Sequence, residues 1–282
     1  IEQLCGDPEV DVVDIGLPNF LHLQATNSAA ENHKNIICEK PLALNAKEAE
    51  KMLAIARRYG VIHCYAENQV FMPQVVRAKE FINKGAIGKL FWVRSREAHF
   101  GPHSKWFWDP KLAGGGVLAD MGCHSIEVAR YLIGETPVSA CAWTSTFVHE
   151  TKAEENSVVI VKHKGSELTQ AENSWAAHGG FDLRIEMYGS EGAISIDATK
   201  GTGLQMFTVA SEEKIGEIVE KSETKKGWMF PTWNEVETYG FQNELGHFVS
   251  CISQGVQPRE TFHDGLLVNR VMDAAYRSVR TR

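Results

Sequence analysis

The sequence predicts an α/β chain in two parts. A doubly wound parallel sheet comes first, followed by an α+β domain with a large, mostly antiparallel, open-faced sheet. Three observations predict this. Up to residue 65, short continuous apolar runs alternate with helical segments, as in sheets buried on both faces. Beyond Gly88 the runs alternate apolar and polar residues between glycine-rich breaks, the pattern of strands with one wet face. Two long helical segments then close the chain.

In order, Val10–Gly16 is a strand ended by Gly16-Leu17-Pro18-Asn19, and Phe20–Asn32 reads as a helix. Asn35–Cys38 is a second strand, followed by Glu39-Lys40-Pro41. Asn45-x-x-Glu48 is a capping box that opens a helix to Tyr59, where Gly60 stops it. Val61–Tyr65 is a third strand. Strand-helix-strand-helix-strand implies right-handed crossovers and parallel pairing. Met72–Lys84 is a helix with Val75, Val76, Ala78, Phe81 and Ile82 expected on its buried side, and Gly85-Ala86-Ile87-Gly88 is a turn. Leu90–Phe100 is a strand leading into the loop Gly101–Pro110. Alternating strands follow at Val138–Val148, Ser157–His163, Glu167–Trp175, Leu183–Tyr188, Ala193–Asp197 and Leu204–Val209. Residues 211–231 read as a charged surface excursion. Thr238–Gln254 is a helix with Phe241, Leu245, Phe248 and Ile252 on one face, and Thr261–Arg280 one with Leu267, Val271, Ala274 and Ala275.

Composition narrows the function. The 282 residues are 43% hydrophobic, enough for two medium domains with real cores. Lys+Arg 29 against Asp+Glu 36 gives a net charge of −7, and no basic cluster is interleaved with aromatics, so nucleic acid is not expected as a partner. No apolar run approaches the roughly 20 residues of a membrane helix, and the first residues do not read as a secretory signal. Six scattered cysteines without a CxxC suit free thiols in a reducing cytoplasm. Cys123-His124 with Asp120 lacks a second cluster at zinc spacing, so no metal is expected.

The stretch Gly114-Gly115-Gly116-Val117-Leu118-Ala119-Asp120-Met121-Gly122-Cys123-His124 carries the chemistry. Three glycines form a bare loop, and a helix is expected to run from it to Gly134. Leu118, Met121, Val128, Ala129 and Leu132 make an apolar stripe. Asp120, His124, Glu127 and Tyr131 make a second, polar stripe. By itself, Asp120/His124 also fits a solvated i,i+4 pair. In parallel sheets ligands gather at the carboxyl ends of strands, where Lys40 is either a solvated lysine or a cation positioned by Pro41. The Lys40–Pro41 bond is a candidate for the cis form.

Val-Asp-Ile-Gly-Leu-Pro-Asn with His22, Cys-Glu-Lys-Pro-Leu, Gly-Ala-Ile-Gly and Gly-Gly-Gly-x-x-x-Asp-x-Gly-x-His together resemble the Gfo/Idh/MocA family, the glucose–fructose oxidoreductase and inositol dehydrogenase group. The resemblance runs over nearly the whole chain. It implies that the first sheet is the C-terminal part of a Rossmann fold, with residues 1–68 a partial dinucleotide-binding domain and 69–282 a substrate-binding and oligomerisation domain. No Gly-x-Gly-x-x-Gly opens the sequence, so the first βαβαβ part and its phosphate turn are expected to be missing. Strand Val12–Ile15 would then be an exposed apolar edge.

The resemblance implies NAD or NADP as cofactor, hydride transfer to or from a secondary alcohol of a sugar, cyclitol or related polyol, and a catalytic set of Lys40, Asp120 and His124. Pro18, Asn19, His22, Glu39 and Lys40 are the expected cofactor-side residues. His124 would act as base, Lys40 would donate to the substrate oxygen, and Asp120 would bond a hydroxyl or orient the imidazole. Asn68, His99, His103, Trp106 and Trp108 are the expected substrate contacts, although both tryptophans suit core packing equally. Glu67 and Glu97 are equally able to be structural. A homodimer or homotetramer through the C-terminal sheet is expected. Two other readings stay open: an inert sheet-mediated oligomerisation module, and an NAD-dependent glycosidase.

Overall fold

In the computed structural model, helix α1 (Glu2–Cys5) leads into β1 (Val12–Ile15), α2 (His22–Glu31), β2 (Asn35–Glu39), α3 (Ala46–Tyr59) and β3 (His63–Ala66). The structure describes residues 1–199, 206–208, 227–229 and 235–281. The three strands pair parallel in the order β1-β2-β3, as the alternation predicts, with β1 at one edge. The Asn45 side chain accepts the Glu48 amide at 3.1 Å to start α3, and Gly60 ends it at φ 67°.

Helix α4 (Pro73–Asn83) is narrower in its buried stripe than expected. Only Val75 and Ala78 are buried. Val76 and Ile82 are half-buried, and Phe81 is exposed beneath the Arg77 guanidinium at 4.5 Å. Strand β4 (Leu90–Ala98) then enters the larger sheet. The chain continues through α5 (Pro110–Ala113), α6 (Val117–Asp120), α7 (Gly122–Ile133), β5 (Pro137–Ser145), β6 (Asn156–His163), β7 (Leu168–Ser174), β8 (Asp182–Gly189) and β9 (Gly192–Asp197). The sheet order is β5-β6-β7-β4-β8-β9. Only β4 and β7 pair in parallel, so the sheet is mostly antiparallel as expected. Val93, Leu183 and Ile185 face Val128 and Leu132 of α7, while Arg94, Arg96, Glu172, Arg184 and Glu186 populate the opposite face.

One helix was expected between the glycine loop and Gly134, and two are observed. The backbone at Met121 (φ −107°, ψ −30°) separates α6 from α7. Both expected stripes are buried, the polar one included, except that Tyr131 is half-buried.

The expected strand over 204–209 is described at Met206–Thr208 (β10), which pairs antiparallel with Gly227–Met229 (β11). The Gly201–Gly203 break and the rest of segment 211–231 lie outside the described residues. The closing segment begins with α8 (Glu235–Thr238) and α9 (Phe241–Gln254), divided at Gly240 (φ 88°), where a side chain would strike the Asn68 carbonyl. On α9, Phe248 is buried, but Phe241 and Leu245 are 40% and 44% exposed, because the helix turns Glu244, Phe248 and Cys251 inward instead. Helix α10 (Phe262–Arg280) opens with a capping box between Thr261 and Asp264. Its buried stripe is Phe262, Leu266, Met272 and Ala275 with Val271. Leu267 and Ala274 are only half-buried, because the stripe is rotated from the expected one. One apolar cluster joins these residues to Ile15, Ile36 and Met52, so α10 fastens the small sheet to the large one. Among the described residues no helix is long and apolar enough to cross a membrane.

Candidate active site

The carboxyl ends of β2, β3 and β4 converge on the junction between α6 and α7. Lys40 follows β2 with a cis Lys40–Pro41 bond, Glu67 follows β3, Glu97 is near the end of β4, and Asp120 and His124 flank the junction. Lys40, Asp120 and His124 line one cleft of about 380 Å3, together with Glu39, Asn68, Gln69, Glu97, His99 and His103. An apolar wall of Phe181, Leu183, Tyr239 and Phe241 faces them.

Lys40 Nζ donates to Oδ1 of Asp120 at 3.0 Å and to its backbone carbonyl at 3.0 Å. Trp175 Nε1 donates to the other carboxylate oxygen at 3.2 Å. Burial alone disfavours both charges of the pair. The Asp120 carboxylate nevertheless holds the Lys40 ammonium charged, and Lys40 holds Asp120 below the usual carboxylate range. His124 Nδ1 meets Glu67 Oε1 at 2.6 Å. Burial opposes the imidazolium, but the Glu67 and Glu97 charges and the Glu67 hydrogen bond act the other way, and on balance the His124 pKa is raised. Burial pushes Glu97 up, against the pull of His124 and Lys40. The Cys123 thiol, pushed well up by burial, donates to the Asp120 carbonyl at 3.1 Å.

The glycine loop is bare because three neighbours press on it. A side chain at Gly114 (φ 87°) would meet the Leu44 backbone at 2.8 Å, at Gly115 the Tyr276 ring, and at Gly116 the Glu154 backbone. Oε1 of Glu154 accepts the Gly116 and Leu118 amides at 2.9 and 3.2 Å and the Tyr276 hydroxyl at 2.7 Å, which fixes the start of α6.

Not every expected site residue reaches the cleft. The Asn19 amide donates to the Ala113 carbonyl at 2.8 Å, and the fully buried His22 ring sits between the Leu17 and Leu42 carbonyls at 2.8 and 3.2 Å. These side chains tie the turn around Pro18 in place. Asn68 lines the cleft while donating to the Tyr239 carbonyl at 2.7 Å. His99 and His103 line it with ring centroids 5.3 Å apart. Trp106 and Trp108 lie outside the lining. The short helical turn Lys105–Trp108 stacks Trp106 on Phe107 at 3.8 Å and sets the half-buried Trp108 edge-on to Trp175 at 5.1 Å, against a small apolar cluster. Asp120 does not orient the imidazole. Its carboxylate is taken by Lys40 and Trp175, and Glu67 holds His124 instead. Trp175 carried no sequence signal, because its partner is 55 residues away.

The arrangement fits the reactive end of a dinucleotide. Backbone at Gly16, just after β1, faces open space where a Cβ would stand, beside the Glu39–Lys40 strand end. No Gly-x-Gly-x-x-Gly occurs in the sequence, so no residue is assigned to a pyrophosphate.

The chain is similar to known proteins over nearly its whole length. The NAD-binding Rossmann-fold model of the GFO/IDH/MocA oxidoreductases matches residues 1–67, and the C-terminal domain model of the same group matches residues 75–195. Trans-1,2-dihydrobenzene-1,2-diol dehydrogenase of Danio rerio is 30% identical over 293 residues, spanning 99% of this chain and 80% of that protein. The structure of GenD2 from gentamicin A biosynthesis in complex with NAD superposes with a TM-score of 0.92 at 28% identity, over 99% of this chain and 79% of that one. Levoglucosan dehydrogenase in complex with NADH and levoglucosan gives 0.82 at 28% identity, over 99% and 80%.

Proposed function

This chain belongs to the Gfo/Idh/MocA family of NAD-binding oxidoreductases, and from that premise we propose how its cleft works. The substrate is a sugar, cyclitol or related polyol, and the reaction interconverts a secondary alcohol and its ketone. The observation that carries this reading is the meeting of a held ammonium (Lys40) and a carboxylate-backed imidazole (His124) in one cleft at the strand ends. The nicotinamide of NAD or NADP, when bound, supplies the hydride acceptor or donor. Glu39 and Lys40, which line the cleft, would border it, with Gly16 and Pro18 as further candidates.

In the oxidative direction His124 takes the hydroxyl proton on Nε2, the nitrogen that Glu67 leaves unengaged. Lys40 spends two hydrogen bonds on Asp120 and has a third N–H to give to the substrate oxygen, where it favours alkoxide character. Asp120 keeps that ammonium charged and in place. Asn68, His99 and His103 are positioned to bond ring hydroxyls, while Phe181 and Tyr239 offer an apolar surface to the ring face. The relatives support this substrate class, because one was solved with NADH and the sugar derivative levoglucosan and another is a dehydrogenase of a cyclic diol.

Residues 1–68 form the nucleotide side of the enzyme, and residues 69–282 the substrate and assembly side, to which α10 adds a brace. Trp143, Val158 and Leu168 are exposed on the larger sheet, which supports self-association through it into a homodimer or homotetramer. Six free cysteines support a cytoplasmic setting. The test is a panel of sugars, cyclitols and glycosides with NAD and NADP, followed by nicotinamide absorbance. Reduction of the cofactor by polyols supports the reading. Release of free sugar from a glycoside without net cofactor change, or no cofactor turnover with any polyol, contradicts it.

A further inference from the structure

We infer that Glu67 is a positioning residue for His124. It holds the imidazole in the tautomer that leaves Nε2 to the substrate, and it sets the pH at which that nitrogen exchanges its proton. The inference rests on the proton-transfer role proposed for His124 and adds a residue to it.

The geometry is specific. Glu67 is the first residue beyond β3 and is fully buried, in a chain whose buried carboxylates need a reason. Its Oε1 lies 2.6 Å from Nδ1 of His124 and also accepts the Gln69 amide at 3.3 Å, which pins the carboxylate to the turn that follows the strand. Its Oε2 has no hydrogen-bond partner among the described residues. A neutral imidazole carries one N–H, and a carboxylate only accepts. The proton is therefore on Nδ1, and Nε2 is the basic nitrogen. Asp120, the other candidate orienter, has both carboxylate oxygens taken by Lys40 and Trp175.

Other charges also act on the ring. Lys40 opposes its protonation, and Glu97, Glu39 and Asp120 favour it, with the buried Cys123 thiol alongside. Glu67 is the charge in direct contact. Its effect on the ring is accordingly the largest of the favourable ones, and the imidazolium is retained above its ordinary pH range.

Two variants separate charge from geometry. Glu67→Gln keeps an acceptor for Nδ1 but removes the charge. The imidazole pKa should fall by about one pH unit or more. Oxidation needs the neutral ring, so the acid limb of kcat/KM should move to lower pH by the same amount. Glu67→Ala frees the ring to take either tautomer, and kcat should drop about tenfold or more while KM for the polyol changes little. The His124 titration is read independently by nitrogen-15 NMR of the ring in wild type and Glu67→Gln. An unshifted titration, an unmoved acid limb, or full kcat in Glu67→Ala overturns the inference. If the wild type turns over no polyol at all, the functional reading fails instead, and the NMR titration still decides the role of Glu67.

Discussion

Lys40 and Asp120, 80 residues apart in sequence, are joined through two hydrogen bonds from one ammonium, each 3.0 Å long, to the carboxylate and the backbone carbonyl of the same residue. The pair clasps the end of β2 to the break between α6 and α7. It thereby fixes the nucleotide-side sheet relative to the helix that carries His124.

Removing one partner of such a pair strands the other charge. Lys40→Met should abolish measurable turnover and cost about 3–5 kcal/mol of stability, because Asp120 is left buried without its cation. Adding Asp120→Asn should return a large part of that loss. Chemical denaturation of the two single variants and the double variant measures the coupling. A double variant no more stable than Lys40→Met would show that the pair is not what holds Asp120.

The glycine loop gives a prediction with an internal control. Gly116→Ala should cost about 3 kcal/mol, because the new methyl runs into the Glu154 backbone, which cannot step aside. Gly246→Ala, in the middle of α9 with nothing within 4 Å of the new methyl, should instead stabilise by about 0.5–1 kcal/mol. Thermal melts of both should move in opposite directions.

Glu244 gives the pH dependence. Burial, then the negative charges of Glu39, Glu67 and Asp14, push its carboxyl up to about 9. The folded chain thus keeps a proton that the unfolded chain releases near pH 4.5. Its contribution to stability is full below about pH 4.5 and is lost as pH rises toward 9. Glu244→Gln, which has no proton to lose, should gain about 1–3 kcal/mol over wild type between pH 5 and 8.5. Denaturation midpoints at the two pH values test this, and an equal difference at both would contradict it.

The parallel strands were legible because Val12–Ile15 and Asn35–Glu39 are short apolar runs with local breaks on either side, and local signals suffice for that. Asp120 and His124 were legible as a pair for the same reason, since i,i+4 spacing is local. Their partners were not. Glu67 is 57 residues from His124, and Trp175 is 55 from Asp120, and no spacing rule connects a strand end to a helix that far away. The α9 stripe failed in another way. Phe241 and Leu245 have helical periodicity, but a carboxyl on the adjacent face, Glu244, took the buried side through its place above the strand ends. Trp108 was undecidable from sequence because an aromatic that stacks on a sugar and one that packs on Trp175 look alike until the fold is known.

The central claim is that His124 carries the substrate proton while Lys40 holds the substrate oxygen. The most direct measurement is the turnover of His124→Ala on the best polyol, with reduced-cofactor affinity measured in parallel. The expected result is a loss in kcat on the order of 10²-fold or more with cofactor affinity unchanged. Turnover close to wild type in His124→Ala would contradict it.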